Sequence, residues 1–294
     1  MRIFVTGASG WIGSAVVPEL ISAGHQVLGL ARSDASATAV ADMGAEVLRG
    51  DLTDTGTLRA GAVDSDGVIH LAFEGGRDRY EAAAQTDAMA VETFAASLAG
   101  SGKPLVVSGA TIVTPGRPAT ERDELIAAGP IAARITTMQA ALAATERDIR
   151  ACLVMLPRSV HGQGERHGFI PQLIATARAK GVSGYIGDGA SRWPAVHVKD
   201  AASLYRLAIE QAPAGAVLNA VGEEGVPVRQ IAEAIGRHLN LPVKSLPAEE
   251  FSGMLVPLLS TDMPASSTIT QELLGWQPTH PGLIEDIEQG HYFS

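Results

Sequence analysis

Cysteine is nearly absent: the chain has one, Cys152, in 294 residues. One thiol closes no internal disulfide and cannot build a structural zinc site. It lies in the apolar run 151–156, which predicts a buried, inert side chain. Basic charge is also in short supply. Lysine and arginine total 22 against 32 acidic residues, a net charge of −10 at pH 7. With no basic stripe to track a phosphate backbone, nucleic acid is not an expected partner. No apolar stretch reaches membrane-spanning length, so a membrane is not expected either. The eight histidines show no ligand spacing on one helix face, and no metal site is expected. A serine hydrolase would need Gly-x-Ser-x-Gly at a strand-to-helix elbow, and Ser9 in Gly7-Ala8-Ser9-Gly10 does not fit. The chain enters a strand at once, which leaves no room for a leader peptide and predicts a cytoplasmic protein.

What the chain does have is glycine in a telling place. Thr6-Gly7-Ala8-Ser9-Gly10-Trp11-Ile12-Gly13 follows the apolar run 3–5 and opens into a helical stretch from Ala15. Strand, glycine turn and helix in this order bring backbone N–H groups and a helix N-terminus up to a pyrophosphate. Gly7 suits the tight turn, Gly10 leaves room for the phosphate, and Gly13 lets the helix pack close to the strand. A second strand, 25–30, comes at the expected distance.

Short apolar strands are expected at 3–5, 26–31, 46–49, 67–71, 105–108 and 151–156, separated by helical lengths. That alternation predicts an α/β fold, a Rossmann-type doubly wound parallel sheet covered by helices on both sides. Helices are expected at 86–98 and, as one long segment, at 131–149. After the sixth strand the character changes. Residues 162–168 form a polar glycine-rich loop, 169–180 and 228–239 read as helices, and 183–186 as a short strand. We expect a dinucleotide-binding core over 1–160. Residues 161–294 are expected to be mainly a smaller C-terminal substrate lobe, with segments returning to the core.

The Gly-x-x-Gly-x-x-Gly spacing behind Thr6 resembles the extended form of the short-chain dehydrogenase/reductase superfamily, the epimerase/dehydratase type. Four further segments carry the likeness: Gly50-Asp51-Leu52-Thr53-Asp54, Val68-Ile69-His70-Leu71-Ala72, Trp193 to Asp200, and Leu274-Gly275-Trp276-Gln277-Pro278. The resemblance implies a nicotinamide dinucleotide held by Gly7, Ser9, Gly10, Trp11, Ile12 and Gly13 at the pyrophosphate. It places the adenine near Asp51 and Leu52. The nicotinamide falls near Leu71, Ala72, Phe73, Ser108, Leu156, Pro157 and Val160. It also implies a homodimer through the helices at 86–98 and 131–149, and a small-molecule substrate between core and lobe.

The second strand ends Leu30-Ala31-Arg32-Ser33-Asp34. A carboxylate at the strand tip would repel a 2′-phosphate, and none stands there. Arg32 offers a planar fork of donors and Ser33 a hydroxyl, so NADP(H) is the expected cofactor.

The chain leaves the superfamily's pattern where the chemistry should be. The usual Tyr-x-x-x-Lys pair supplies the proton and lowers its pKa. Here Arg134 takes the tyrosine position and Met138 the lysine position, and none of the four tyrosines has a lysine at that spacing. Ser108 is the nearest candidate for the partner serine, and Arg134 for charge stabilisation. An arginine cannot release a proton at neutral pH, so the proton donor stays open. Phe73, Tyr80, Thr111, His161, His167 and Trp193 are candidate substrate contacts, and the loop 73–79 should border the nicotinamide. The leading expectation is an NADPH-dependent oxidoreductase that reduces a carbonyl, or an imine, of a small organic molecule. A non-catalytic NADP(H)-binding sensor or scaffold is the alternative, and a nucleotide-sugar epimerase or dehydratase the third.

Overall fold

The computed structural model describes residues 1–73, 80–251, 253 and 255–293. Its first part alternates strand and helix: β1 (Arg2–Thr6), α1 (Gly13–Ser22), β2 (Gln26–Ala31), α2 (Asp34–Asp42), β3 (Glu46–Arg49), α3 (Thr55–Val63), β4 (Gly67–His70), α4 (Tyr80–Leu98), β5 (Pro104–Ala110), α5 (Ala132–Ala143) and β6 (Arg150–Leu156). Then come β7 (Ser159–His161), α6 (Phe169–Lys180), β8 (Ser183–Tyr185), β9 (Arg192–His197), α7 (Val198–Gln211) and β10 (Val217–Asn219). The chain ends with β11 (Glu223–Pro227), α8 (Val228–Leu239), β12 (Val243–Ser245), α9 (Leu255–Ser260), α10 (Thr268–Leu274) and α11 (Leu283–Glu288).

Seven strands form one parallel sheet in the order β10-β6-β5-β4-β1-β2-β3. Its strands are apolar on both faces because both faces are covered. Side chains alternate across a strand, so Ile3 and Val5 point to one layer and Phe4 to the other. Ile3 and Val5 pack with Val16, Val17 and Leu20 of α1 and with Leu204, Tyr205 and Ile209 of α7. Phe4 packs with Leu58 of α3, Phe94 of α4 and Ile135 and Met138 of α5. Cys152 is buried in the first layer, where burial pushes its thiol up to about 12, so it is inert as expected.

The second part has its own core. Trp193 of β9 packs with Ile170 and Ile174 of α6, Ile231 and Ile235 of α8, Leu258 of α9 and Ile287 of α11. A three-stranded sheet, β11-β9-β7, lies under it. The seventh core strand, β10, comes between the lobe strands β9 and β11 and was not expected as a strand, because three residues carry no readable period. The amphipathic helix α7 was also missed as an element; its first residues read as a motif. The expected helix over 131–149 stops at Ala143. A 3₁₀ turn follows over Ala144–Arg147, and Asp148 takes left-handed angles (φ 56°) to swing the chain into β6. The helix expected at 86–98 begins earlier, at Tyr80. No described helix is long and apolar enough to cross a membrane.

Buried polar groups join the parts. Asp200 of α7 accepts from the N–H groups of Thr279 (3.1 Å) and His280 (3.0 Å) and from His280 Nδ1 (2.7 Å). Trp276 donates from Nε1 to the Asp200 carbonyl at 3.0 Å and is sealed in the core layer. On the lobe side, His161 Nδ1 meets Asp286 Oδ2 at 2.9 Å. Tyr292 donates to Glu165 Oε2 at 2.6 Å and accepts from the Gly162 N–H at 3.1 Å. Burial pushes the Glu165 carboxyl up to about 7, against the pull of the Tyr292 hydroxyl.

A folded pKa above the ordinary value of 4.5 means that the native state holds this proton more tightly than the unfolded chain. The stability it contributes is full below that ordinary value and is lost as pH rises through the folded one. Urea midpoints of the wild type should therefore fall between about pH 4.5 and 7, and Glu165→Gln should flatten that decline. A variant that keeps the full slope would refute the assignment.

Candidate functional site

The glycine turn follows β1 and closes on itself, with Gly10 N–H donating to the Gly7 carbonyl at 2.9 Å. Gly7 has φ +68°, and a Cβ there would stand 2.8 Å from the Ala72 nitrogen. A Cβ on Gly13 would collide with the Gly7 carbonyl oxygen. Ser14 and Ala15 of α1 donate to the carbonyls of Gly10 (2.8 Å) and Ile12 (3.0 Å), while Ile12 and Gly13 ahead of them border the adjoining cleft, where a helix N-terminus suits an anion. The cleft holds about 430 Å³. It is lined by Gly7, Ser9, Gly10, Trp11, Ile12, Gly13, Arg32, Ser33, Asp51, Leu52, Leu71, Ala72 and Phe73, all expected, and by Leu30, Ser36 and Gly50, which were not. Ser108, Leu156, Pro157 and Val160 stand outside these walls. Val160 instead receives the Trp11 Nε1–H on its carbonyl, at 2.7 Å.

A dinucleotide fits this cradle. At the end of β2, Ser33 caps α2, and its hydroxyl accepts from the Ser36 N–H at 3.2 Å. Arg49 draws the Asp34 carboxylate to itself at 2.8 Å. Arg32 is exposed beside these hydroxyls and helps to hold the Asp51 carboxyl below its ordinary range. The larger causes there are hydrogen bonds from Thr53, whose N–H and hydroxyl both reach Asp51 Oδ1 at 2.9 Å.

The catalytic end differs from the expectation for Ser108. Its hydroxyl turns inward, donating to the His70 carbonyl at 2.8 Å and pairing with Tyr205 OH at 2.8 Å, and the residue is 3% exposed. With its proton committed to His70, it can only accept from Tyr205. Tyr205 is sealed beneath, and burial raises its pKa. Neither hydroxyl is presented to a substrate.

Arg134 projects from α5 at the position of the missing tyrosine. Nη2 donates to the Ser108 carbonyl at 2.7 Å, and Cζ lies 4.1 Å from the centre of the Phe73 ring. Nη1 stands 2.9 Å from Asp87 Oδ1, an ion pair without hydrogen-bond alignment. Asp87, on α4, is 2% exposed. It also meets His70 Nε2 at 3.1 Å, and His70 Nδ1 meets Thr6 Oγ1 at 2.6 Å. A carboxylate only accepts, so His70 Nε2 carries a proton; the Nδ1 of a neutral ring then accepts from Thr6. The chain Thr6–His70–Asp87–Arg134 thus runs from the glycine turn to the floor of the active site. Met138 fills the lysine position from within the core, and a Cβ on Gly109 would lie 2.5 Å from the sulfurs of both Met138 and Met155. A side recess of about 140 Å³ adjoins the cleft, lined by Phe73, Thr86 and Asp87 among others.

The remaining candidates separate. Phe73 and Tyr80 meet edge to face, ring centres 5.7 Å apart, beside Arg134; burial raises the Tyr80 pKa. Residues 74–79 of the expected loop lie outside the described residues. Thr111 sits just past the carboxyl end of β5, its N–H donating to the Leu156 carbonyl at 2.9 Å and its buried hydroxyl without a partner among the described residues. His161 is fully buried against Asp286, and Trp193 is a lobe-core residue donating to the Leu258 carbonyl at 2.9 Å, so neither is placed as a substrate contact. His167 is exposed on its loop. Asp87 was missed as a site residue because no local motif marks it; His70 stands in the fourth-strand segment, where nothing announces its partner on α4. Among the described residues, no cluster is placed to hold a metal ion.

A family model described as the NAD dependent epimerase/dehydratase family matches residues 3–220. An uncharacterised protein of Saccharomyces cerevisiae is 44% identical over 297 residues, covering 99% of each chain. The 2-alkyl-3-oxoalkanoate reductase of Stenotrophomonas maltophilia is 29% identical over 227 residues, 74% of this chain and 67% of that one. Among solved structures, the dTDP-glucose 4,6-dehydratase of Bacillus anthracis in complex with NAD superposes with a TM-score of 0.78 at 15% identity, over 99% of this chain and 95% of that one.

Removing Asp87 strands the Arg134 guanidinium in a buried setting. Asp87→Ala should cost about 3–5 kcal/mol in urea unfolding. Adding Arg134→Met should restore much of it, with a coupling energy of at least about 1 kcal/mol in the double-mutant cycle. Simply additive losses would show that the pair is not coupled.

Proposed function

The chain belongs to the NAD-dependent epimerase/dehydratase family, and on that footing we propose that it is an NADPH-dependent reductase of a carbonyl, or an imine, on a small organic molecule. The observation that carries the cofactor choice is the end of β2. Arg32, Ser33 and Ser36 line the cleft there; of the nearby carboxylates, Asp34 is held by Arg49 and Asp51 by Thr53. A 2′-phosphate would meet a cation, two hydroxyls and a helix N-terminus. The reductase among the relatives supports the reaction class.

Bound NADPH would supply the hydride. The rest falls to the protein. Asp87 and the Ser108 carbonyl fix the Arg134 guanidinium, which would stabilise negative charge developing on a substrate oxygen. It keeps its own protons, so water would protonate the product. An iminium substrate would not need an oxyanion donor at all. The substrate would sit between the core and the C-terminal lobe. A homodimer through α4 and α5 belongs to the same reading; Met89 and Ile131 are exposed on these segments.

A second reading rests on a specific observation. Arg134, Met138 and the inward Ser108 leave the usual acid, its lysine and the serine hydroxyl out of reach. That favours a protein that binds NADP(H) without turnover. It weighs still more against a nucleotide-sugar epimerase, which needs the tyrosine as base.

Two measurements decide. Oxidation of NADPH is followed with ketones, aldehydes, 3-oxo esters and cyclic imines. Turnover with any of them, lost in Gly10→Asp, supports the reductase; tight NADPH binding without turnover across the panel supports the sensor. Arg32→Ala should raise the NADPH Kd by roughly tenfold or more and leave NADH nearly untouched. Equal effects on both dinucleotides would refute the 2′-phosphate assignment.

A further inference from the structure

Arg158 has no role in the account so far. It follows β6 by two residues, just past Leu156, whose carbonyl accepts the Thr111 N–H at the carboxyl ends of β5 and β6. The other half-buried arginines have their charge or donors matched. Arg134 pairs with Asp87, Arg206 with Glu19 and Glu210, and Arg150 caps the last carbonyls of α7 at Ala208, Ile209 and Ala212.

Arg158 is different. Nη1 donates to the Leu258 carbonyl at 2.8 Å, an acceptor already taken by Trp193 Nε1 at 2.9 Å. Its guanidinium carbon lies 5.7 Å from the Trp193 ring centre. A guanidinium carries five N–H donors, and among the described residues no carboxylate pairs with this one and no second acceptor meets it. Burial alone depresses its pKa, to about 10; no charged neighbour contributes. A desolvated cation is costly to keep unpaired. Its other nitrogens are not sealed from solvent, and the residue stands past the carboxyl end of β6, the side of an open α/β sheet on which ligands bind.

We propose that Arg158 binds a carboxylate of the substrate, which makes the substrate a small oxo acid rather than a neutral ketone. This rests on the reductase reading and narrows it. Among the described residues no second cation stands beside this guanidinium, which suits a single negative charge. The planar fork matches the two oxygens of a carboxylate. A diphosphate would call for more positive charge than Arg158 alone supplies. Thr111 follows the neighbouring strand β5 at the same end of the sheet.

The test uses full-length protein saturated with NADP⁺. Binding of 3-hydroxyoctanoate and of its methyl ester is measured by calorimetry, and NADPH oxidation is followed with 3-oxooctanoate and its methyl ester. The acid should bind at least roughly tenfold more tightly than the ester. Arg158→Met should bring the acid down to the ester's affinity and raise KM for the oxo acid more than it lowers kcat. Arg158→Lys should retain part of the preference. NADP⁺ affinity, set at the far end of the cleft, reports that each variant is folded. Equal affinity for acid and ester in the wild type overturns the proposal, as does absence of binding by both or an Arg158→Met variant that still prefers the acid. If the ester is reduced as well as the acid, the reductase reading stands and the carboxylate site falls. If the acid binds through Arg158 but neither compound is reduced, the carboxylate site stands and the reductase reading falls.

Discussion

The buried Asp87 carboxylate is the group on which the active-site end of the core depends. It touches His70 at the end of β4 and Arg134 on α5. Through His70 it reaches Thr6, whose hydroxyl also receives the Ala72 N–H at 3.4 Å. Two strand ends and two helices therefore share one polar chain, in a place where an unpaired charge would be expensive. The glycine turn sits at one end of that chain and the Phe73 ring at the other. The Arg134 guanidinium is tolerable in this setting because Asp87 is there to pair with it.

The fold was legible where the physics is local. The strands at 26–31 and 46–49 and the helices at 169–180 and 228–239 have the predicted bounds, because apolar period and flanking glycine or proline define them. The long segment 131–149 misled, since alanine-rich sequence continues past Ala143. What ends the helix is a left-handed aspartate that pattern alone does not reveal. β10 escaped because three residues acquire a strand conformation only from the neighbouring β6. Its register, Val217 against Leu153, is a tertiary fact.

The site divides in the same way. The turn, Arg32 and Asp51 are contiguous with motifs and could be named from the sequence. The departure at Arg134 and Met138 was visible by position, but its consequence was not. Ser108 has the right residue type at the right strand end, yet Tyr205, 97 residues away, takes its hydroxyl into the core. His161 and Trp193 looked like pocket walls because loops around them are rich in glycine. Their partners, Asp286 and the Leu258 carbonyl, lie far along the chain, and no spacing rule connects them.

The return of β10 to the edge of the main sheet affects how the protein can be made. During synthesis the first six strands emerge in order, each beside a partner already present. The sheet then waits for residues 217–219, and its covering layer waits for Tyr205 and for Trp276, which seals against Asp200. Until these arrive, α1 covers part of one apolar face of the nascent core and the part that α7 will cover stays open. Contacts of such sequence separation form slowly, and the unfinished face is the surface on which chaperones, or aggregation, would act.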